Sequence, residues 1–295
     1  MYPDEFEYYR AETVTEAINL LEEHAMVETE LLAGGHSLLP AMKTGLSSPD
    51  VLIDIGQVDE LHGVSVSGET LHIGAMTRYA DLLDADAAHE YAPTLVAATE
   101  EVGDRQVRNR GTMGGNLAHA DPASDLPGAA LASDATFVVQ GQSGEREIPA
   151  EEFFFGMYAT DVGPSELLTR IKVPTAAEAV GAYAKRPSPS SGYAMVGVAV
   201  LLELDDDTVS SVRVGANGAM DHGVRLEPVE DALLDSPLNG DVIESAAARA
   251  TNNLDTEMMM QDLQASAEFR AQLLEVYTER ALREVMTQVS VHPSG

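Results

Sequence analysis

Cysteine is absent from the 295-residue chain, which excludes disulfides, thiolate zinc sites, iron–sulfur ligation and a cysteine nucleophile within it. Tryptophan is absent too, and phenylalanine is sparse at six residues. Positive charge is scarce: 17 Lys and Arg stand against 49 Asp and Glu, a formal net charge of -32. Lys43, Lys172 and Lys185 are the only lysines. So acidic a chain repels phosphate backbones and anionic lipid, which argues against nucleic-acid and membrane-surface binding. No apolar run approaches the roughly 18 residues of a membrane-spanning helix. Met1–Arg10 has neither a basic stretch nor an apolar one, so no signal peptide is expected and the cytoplasm is the expected compartment.

The acid is spread along the chain and not gathered in a tail. Diffuse acid, little lysine and few large aromatics point to a protein of concentrated salt, where self-repulsion is screened; ordinary acidic solubility is the alternative.

Hydrophobic residues make up 44% of the chain, enough for a sizeable core, and the length suggests two domains or one large one. Residues 13–22 read as a helix capped by Thr15, with Ala17, Leu20 and Leu21 on one face. Residues 30–33 and 51–55 read as short buried strands, and 64–73 as a hairpin turning at Gly68. Thr77 reads as the cap of a helix, and 91–103 as another helix. Residues 111–127 are rich in Gly, Asp and Pro and carry no periodicity, so they read as a long loop of functional character. Strands resume at 136–140 and 167–173. After Pro174 a second module begins with an apolar strand over 193–204 and a hairpin partner over 210–215. Helices follow over 241–252 and 268–288, the last with Phe269, Leu273, Val276, Tyr277 and Leu282 as its core-facing stripe.

The common nucleotide signatures fail. No lysine is preceded by glycine, so there is no phosphate-binding G-K pair, and no G-x-G-x-x-G follows a strand. Asp205–Asp207 reads as a hairpin turn. Two glycine loops remain: Ala33-Gly34-Gly35-His36-Ser37-Leu38-Leu39-Pro40, and Gly111-Thr112-Met113-Gly114-Gly115-Asn116. Each reads either as a plain tight turn or as a cradle in which missing Cβ atoms let backbone N–H groups approach an anion. Gly35–Leu39 matches a nucleophile elbow only in part, because Leu39 stands where glycine is needed. His119, Asp121 and Asp125 have no regular ligand spacing, so turn capping is the simpler reading. Arg105, Arg108 and Arg110 form the one basic cluster, either a solvated helix end or a contact to an anion or partner.

The segment from Gln106 to Pro127 resembles the second FAD loop of the medium subunit of molybdenum hydroxylases, the xanthine dehydrogenase and aerobic carbon monoxide dehydrogenase family. Ala33–Pro40 resembles the first loop in its carbon monoxide dehydrogenase form, and Ile73–Thr77 and Glu268–Arg270 are similar to further family segments. The resemblance covers nearly the whole chain. It implies an α+β protein: a two-lobed FAD-binding domain of the p-cresol methylhydroxylase type over 1–176, with lobes of about 1–56 and 57–174. A C-terminal α+β domain with a three-stranded sheet would span 177–290.

By resemblance, Ala33 to Leu38, Thr77 and Gly111 to Asn116 contact FAD near its pyrophosphate, and Asp125 accepts from ribose hydroxyls. Leu168 and Lys185 line the flavin, and Tyr193 lies beside the isoalloxazine; a Pro/Ser stretch after Lys185 departs from the family pattern. No catalytic acid, base or metal is implied in this chain. Molybdopterin and [2Fe–2S] clusters belong to partners: an iron–sulfur small subunit and a molybdenum-cofactor large subunit, assembled as a dimer of heterotrimers. The implied function is to pass electrons from the [2Fe–2S] subunit through FAD to an external acceptor. Alternatives are a stand-alone FAD-dependent oxidase of the vanillyl oxidase type and a nucleotide-binding module that docks on a larger protein.

Overall fold

Three larger sheets and one two-stranded hairpin organise the described part of the chain, and the computed structural model describes residues 2–291. The first is built from β1 (Glu7–Arg10), α1 (Val14–Glu23), β2 (Thr29–Leu32), α2 (Leu38–Thr44) and β3 (Val51–Asp54). Both outer strands run parallel to β3, in the order β1-β3-β2. Val51, Leu52 and Ile53 are all buried, without the alternation of a one-sided strand, because β3 is the centre of a parallel sheet. The helix cap is Thr13 and not Thr15: its hydroxyl accepts from Glu16 N–H at 3.1 Å, and the Glu16 carboxylate reaches back to Glu12 N–H at 2.8 Å.

The second unit opens with the expected hairpin, β4 (Val64–Ser67) and β5 (Thr70–Gly74), which turns at Gly68 with φ of 60°. Helices α3 (Tyr79–Leu83), α4 (Asp86–Tyr91), α5 (Pro93–Glu100), α6 (Arg105–Arg108), α7 (Met113–His119) and α8 (Leu126–Ala132) follow. Strands β6 (Thr136–Gly141) and β7 (Gly144–Pro149) then lead through α9 (Ala150–Phe153) to a small hairpin, β8 (Phe154–Gly156) and β9 (Ala159–Thr160), and to β10 (Leu167–Pro174). The antiparallel sheet has the order β4-β5-β10-β6-β7. Its core gathers Leu71, Ile73, Leu95, Leu117, Leu126, Phe137 and Phe153.

Three sequence expectations change here. Thr77 caps nothing; its buried hydroxyl bonds both Gly63 N–H and Gly63 C=O at 3.0 Å. The helix expected over 91–103 is broken at Ala92, where Pro93 opens α5, since proline fits a first turn and not an interior. The stretch 111–127 is no open loop, because α7 and the start of α8 lie within it. Glycines hide a helix from periodicity, yet Gly114 is needed by packing: a Cβ there would lie 2.4 Å from that of Ala75.

The third sheet comprises β11 (Val180–Pro187), β12 (Ala194–Asp205), β13 (Thr208–Asn217) and β14 (Val224–Arg225), antiparallel in that order. The two-residue β14 adds a fourth strand to the three expected, and Asp206 makes the β12–β13 turn at φ of 53°. Helices α10 (Glu227–Leu233), α11 (Gly240–Ala247) and α12 (Ala267–Val291) complete the chain. The buried stripe of α12 is Arg270, Leu273, Leu274, Tyr277, Thr278, Ala281, Leu282 and Val285, whereas Phe269 and Val276 are exposed. The second and third units meet where α8 lies on β13. A Cβ on Gly215 would come within 2.0 Å of Gly128 C=O, so only glycine admits that approach. Among the described residues no helix is long and apolar enough to cross a membrane.

Candidate functional site

The two glycine loops touch each other. Ala33–Ser37 leaves the end of β2 and enters α2, with Gly35 at φ of 75°. A Cβ on Gly34 would lie 2.4 Å from Arg110 C=O, and one on Gly115 would lie 3.2 Å from that of Ala33. Gly111 is pressed on Tyr79, whose ring would be 2.3 Å from an added Cβ. These glycines join the first unit to the second.

Their hydrogen bonding separates the loops. In the second, the amides are already bonded: Met113 N–H to Thr77 C=O, Gly114 N–H to Ala75 C=O, Gly115 N–H to Thr112 Oγ1 and Asn116 N–H to Thr112 C=O. The Met113 side chain is wholly buried. In the first loop, the N–H groups of Gly34, Gly35, His36 and Ser37 meet no acceptor among the described residues. Four successive unpaired amides are the donor set an anion takes from a backbone turn. They fit a pyrophosphate, so the first loop could hold the cofactor that the resemblance implies.

A cleft of about 150 Å³ opens beside this contact. Leu32, Ala33, Gly34, Asp54, Gly56, Gln57, His62, Met76, Arg78, Arg110 and Thr112 line it. Residues 76–79 and 110–113 are held together there by a bridge between Arg78 and Thr112 and by Tyr79 N–H to Gly111 C=O at 3.1 Å. The basic cluster divides: Arg108 caps the carbonyls of Glu100, Val102 and Gly103 at 3.1–3.2 Å, while Arg110 lines the cleft.

Asp125 and Lys185, expected at separate points of a cofactor, are instead bonded to each other. Lys185 Nζ donates to Asp125 Oδ2 at 2.9 Å and to Glu101 C=O at 2.9 Å. Tyr183 O–H donates to Asp125 Oδ1 at 2.6 Å and lies 3.3 Å from Asn217 Oδ1. Tyr183 and Lys185 are two residues apart on β11 and so share a face. Both Asp125 oxygens thus have a protein donor, and each keeps a further lone pair. Burial pushes its carboxyl up to about 6, a pull that Lys185 and Tyr183 only partly oppose. Burial also holds the Tyr183 and Tyr79 phenols above their ordinary range and His119 below its own.

A second chain of bonds fixes the other end of α7. Ser124 Oγ donates to Asn116 Oδ1 at 2.6 Å, and Asn116 Nδ2 donates to Tyr79 Oη at 2.9 Å. The turn between α7 and α8 is stapled to the third sheet by Gly218 N–H to Pro122 C=O at 2.8 Å and Ala194 N–H to Ala123 C=O at 3.0 Å. That staple places Tyr193, half exposed, beside the turn. Leu168 is buried in the core at a register shift in β10, His36 is exposed, and Ser37 opens α2 without a side-chain bond. Among the described residues no three His, Asp or Glu are grouped to hold a metal.

Sequence reasoning missed Tyr79, Ser124, Tyr183 and Asn217. Tyr183 carried a signal, the alternation Tyr183-Ala184-Lys185 that aims two polar tips one way. Asn217 carried none.

Two family models match the chain: "FAD binding domain in molybdopterin dehydrogenase" over residues 4–176 and "CO dehydrogenase flavoprotein C-terminal domain" over 181–285. The chain is 36% identical over 285 residues to the glyceraldehyde dehydrogenase medium chain of Sulfolobus acidocaldarius, covering 97% of this chain and 100% of the relative. It is 36% identical over 283 residues to the carbon monoxide dehydrogenase medium chain of Hydrogenophaga pseudoflava, covering 96% and 97%. A solved structure of carbon monoxide dehydrogenase from that organism, lacking the Mo-pyranopterin moiety of its cofactor, superposes with a TM-score of 0.92 at 36% identity, covering 98% of this chain and 99% of its counterpart.

Proposed function

The chain belongs to the family of FAD-binding domains of molybdopterin dehydrogenases, and on that premise we propose that it is the flavin-bearing, electron-transferring subunit of a multi-subunit dehydrogenase. The observation that carries the reading is the set of four successive unpaired amides, Gly34 to Ser37, where the two glycine loops meet. FAD, when bound, supplies the capacity to take electrons singly and release them in pairs. The protein binds, orients and shields it. Gly34–Ser37 donate to the pyrophosphate, while Gly111–Asn116 fix the opposite wall. The Asp125–Lys185–Tyr183 network holds the turn after α7 in place, and Tyr193 stands at the solvent edge.

This reading divides the chain near residue 176 into an FAD-binding domain and a C-terminal domain, supported by the spacing between β10 and β11. Its partners are an iron–sulfur small subunit and a molybdenum-cofactor large subunit, in a dimer of heterotrimers. The absence of cysteine agrees with clusters carried elsewhere. Relatives named for glyceraldehyde and for carbon monoxide are equally similar at 36%. That supports a chain serving electron transfer, with substrate choice made in the large subunit. The diffuse charge of -32 supports a working environment of concentrated salt. The test is purification of the chain from its native source. One FAD per chain, with iron- and molybdenum-bearing polypeptides alongside, is expected; a flavin-free chain purifying alone would overturn the reading.

A further inference from the structure

Arg78 and Arg110 both line the 150 Å³ cleft, and the Arg78–Thr112 bridge holds their two segments side by side. Neither guanidinium has a carboxylate partner among the described residues, in a chain with 49 acidic side chains. Most of the other arginines are paired or capping: Arg146, Arg170, Arg213, Arg225, Arg270 and Arg283 hold carboxylates, and Arg108 holds carbonyls. Two arginines without carboxylate partners among the described residues line one cleft, next to four unpaired amides, and together they make a local anion site in a protein whose overall field repels anions.

The cleft is small against the roughly 300–1,000 Å³ of ordinary cofactor pockets, so it takes part of a cofactor. Planar guanidinium forks match phosphate oxygens. The one carboxylate of the lining, Asp54, accepts from Tyr8 O–H at 2.6 Å and Gly56 N–H at 2.8 Å. Its remaining lone pairs suit a ribose hydroxyl.

We propose that Arg78 and Arg110 bind the adenosine diphosphate half of the cofactor and thereby set a preference for FAD over FMN. The proposal rests on the flavin reading above and goes beyond the two glycine loops. FMN brings one phosphate and no adenosine, so it leaves this cleft unused. ADP alone carries everything the cleft recognises.

The experiment is calorimetric titration of the deflavinated full-length chain in molar salt with ADP, FAD and FMN, for the wild type, Arg78→Gln, Arg110→Gln and the double variant. Both side chains are exposed, so folding is expected to be unchanged, checked by circular dichroism. The wild type is expected to bind ADP, and each single variant to weaken ADP and FAD about ten- to hundredfold, the loss of a charge-assisted hydrogen bond. FMN affinity is expected to stay the same. A double variant that binds ADP as tightly as the wild type while FAD still binds would overturn the proposal and leave the flavin reading standing. Equal weakening of FMN would also overturn it. A wild type that binds no FAD would remove the flavin reading and this proposal with it.

Discussion

Lys185 and Asp125 form an ion pair, 2.9 Å from Nζ to Oδ2, with side chains only 3% and 6% exposed. The pair ties β11 of the third sheet to the residue that opens α8 of the second unit. Removing one partner from a buried pair leaves an uncompensated charge, at a cost of about 3–5 kcal/mol. Lys185→Met is therefore expected to lower the unfolding free energy by that order. The double variant Asp125→Asn/Lys185→Met should lose less than the sum of the two single changes, read in a double-mutant cycle by urea unfolding. Strict additivity would mean that the two side chains do not sense each other.

The same burial gives a pH signature. Asp125 is pushed up to about 6 from an ordinary value of 3.8. The native state therefore holds a proton where the unfolded chain is ionised. The contribution to stability is full below the unfolded value and is lost as pH rises through about 6. Relative to Asp125→Asn, the wild type should lose about 2 kcal/mol between pH 4 and pH 7 and almost nothing more above it. A wild type that gains stability relative to Asp125→Asn as pH rises would reverse the assignment.

Gly34 tests the contact between the loops. In Gly34→Ala the new Cβ meets Arg110 C=O at 2.4 Å, a backbone atom that cannot turn aside. The first loop must shift, so flavin retention should fall below a tenth of the wild-type value, on the order of 1.4 kcal/mol or more. Gly63→Ala, where the added Cβ meets nothing, is the comparison for backbone strain alone, since Gly63 has φ of 100°. Equal flavin retention in the two variants would dissociate the loop contact from binding.

Charge predicts a salt response. At -32 the chain repels itself across a Debye length of about 30 Å in 0.01 M salt, against about 3 Å at 1 M. The melting temperature should rise steeply between those conditions. A flat profile would leave ordinary acidic solubility as the reading of the composition.

The glycine loops were legible in the sequence because their residue types are unusual and adjacent. Part of their purpose was not. Gly114 is glycine because Ala75 presses on it, a contact that no local pattern records, whereas Gly115 is confined first by Thr112 Oγ1 in its own turn and then by Ala33. The sequence leaves the second loop open between a tight turn and an anion cradle; its hydrogen bonds are decided by Ala75 and Thr77, distant in sequence, whose carbonyls accept from two of its amides. Asp125 and Lys185 were each legible by resemblance, but their bond spans 60 residues of chain. Helix α7 was illegible because two glycines erase the apolar period that marks a helix. Strands with continuous apolar runs, such as β12, were found to within a residue or two because burial on both faces writes itself into composition.

Under the proposed function this chain carries electrons on a flavin and oxidises no substrate itself. That function is tested most directly by mixing the FAD-loaded chain anaerobically with carbon monoxide, glyceraldehyde, a purine and a phenol, and following flavin absorbance. No bleaching by any of them is expected with the chain alone; an added chemical reductant should bleach the flavin, and substrate should do so only after iron–sulfur and molybdenum subunits are supplied. Rapid bleaching by one of the four substrates with no partner present would contradict that function and make the chain an oxidase in its own right.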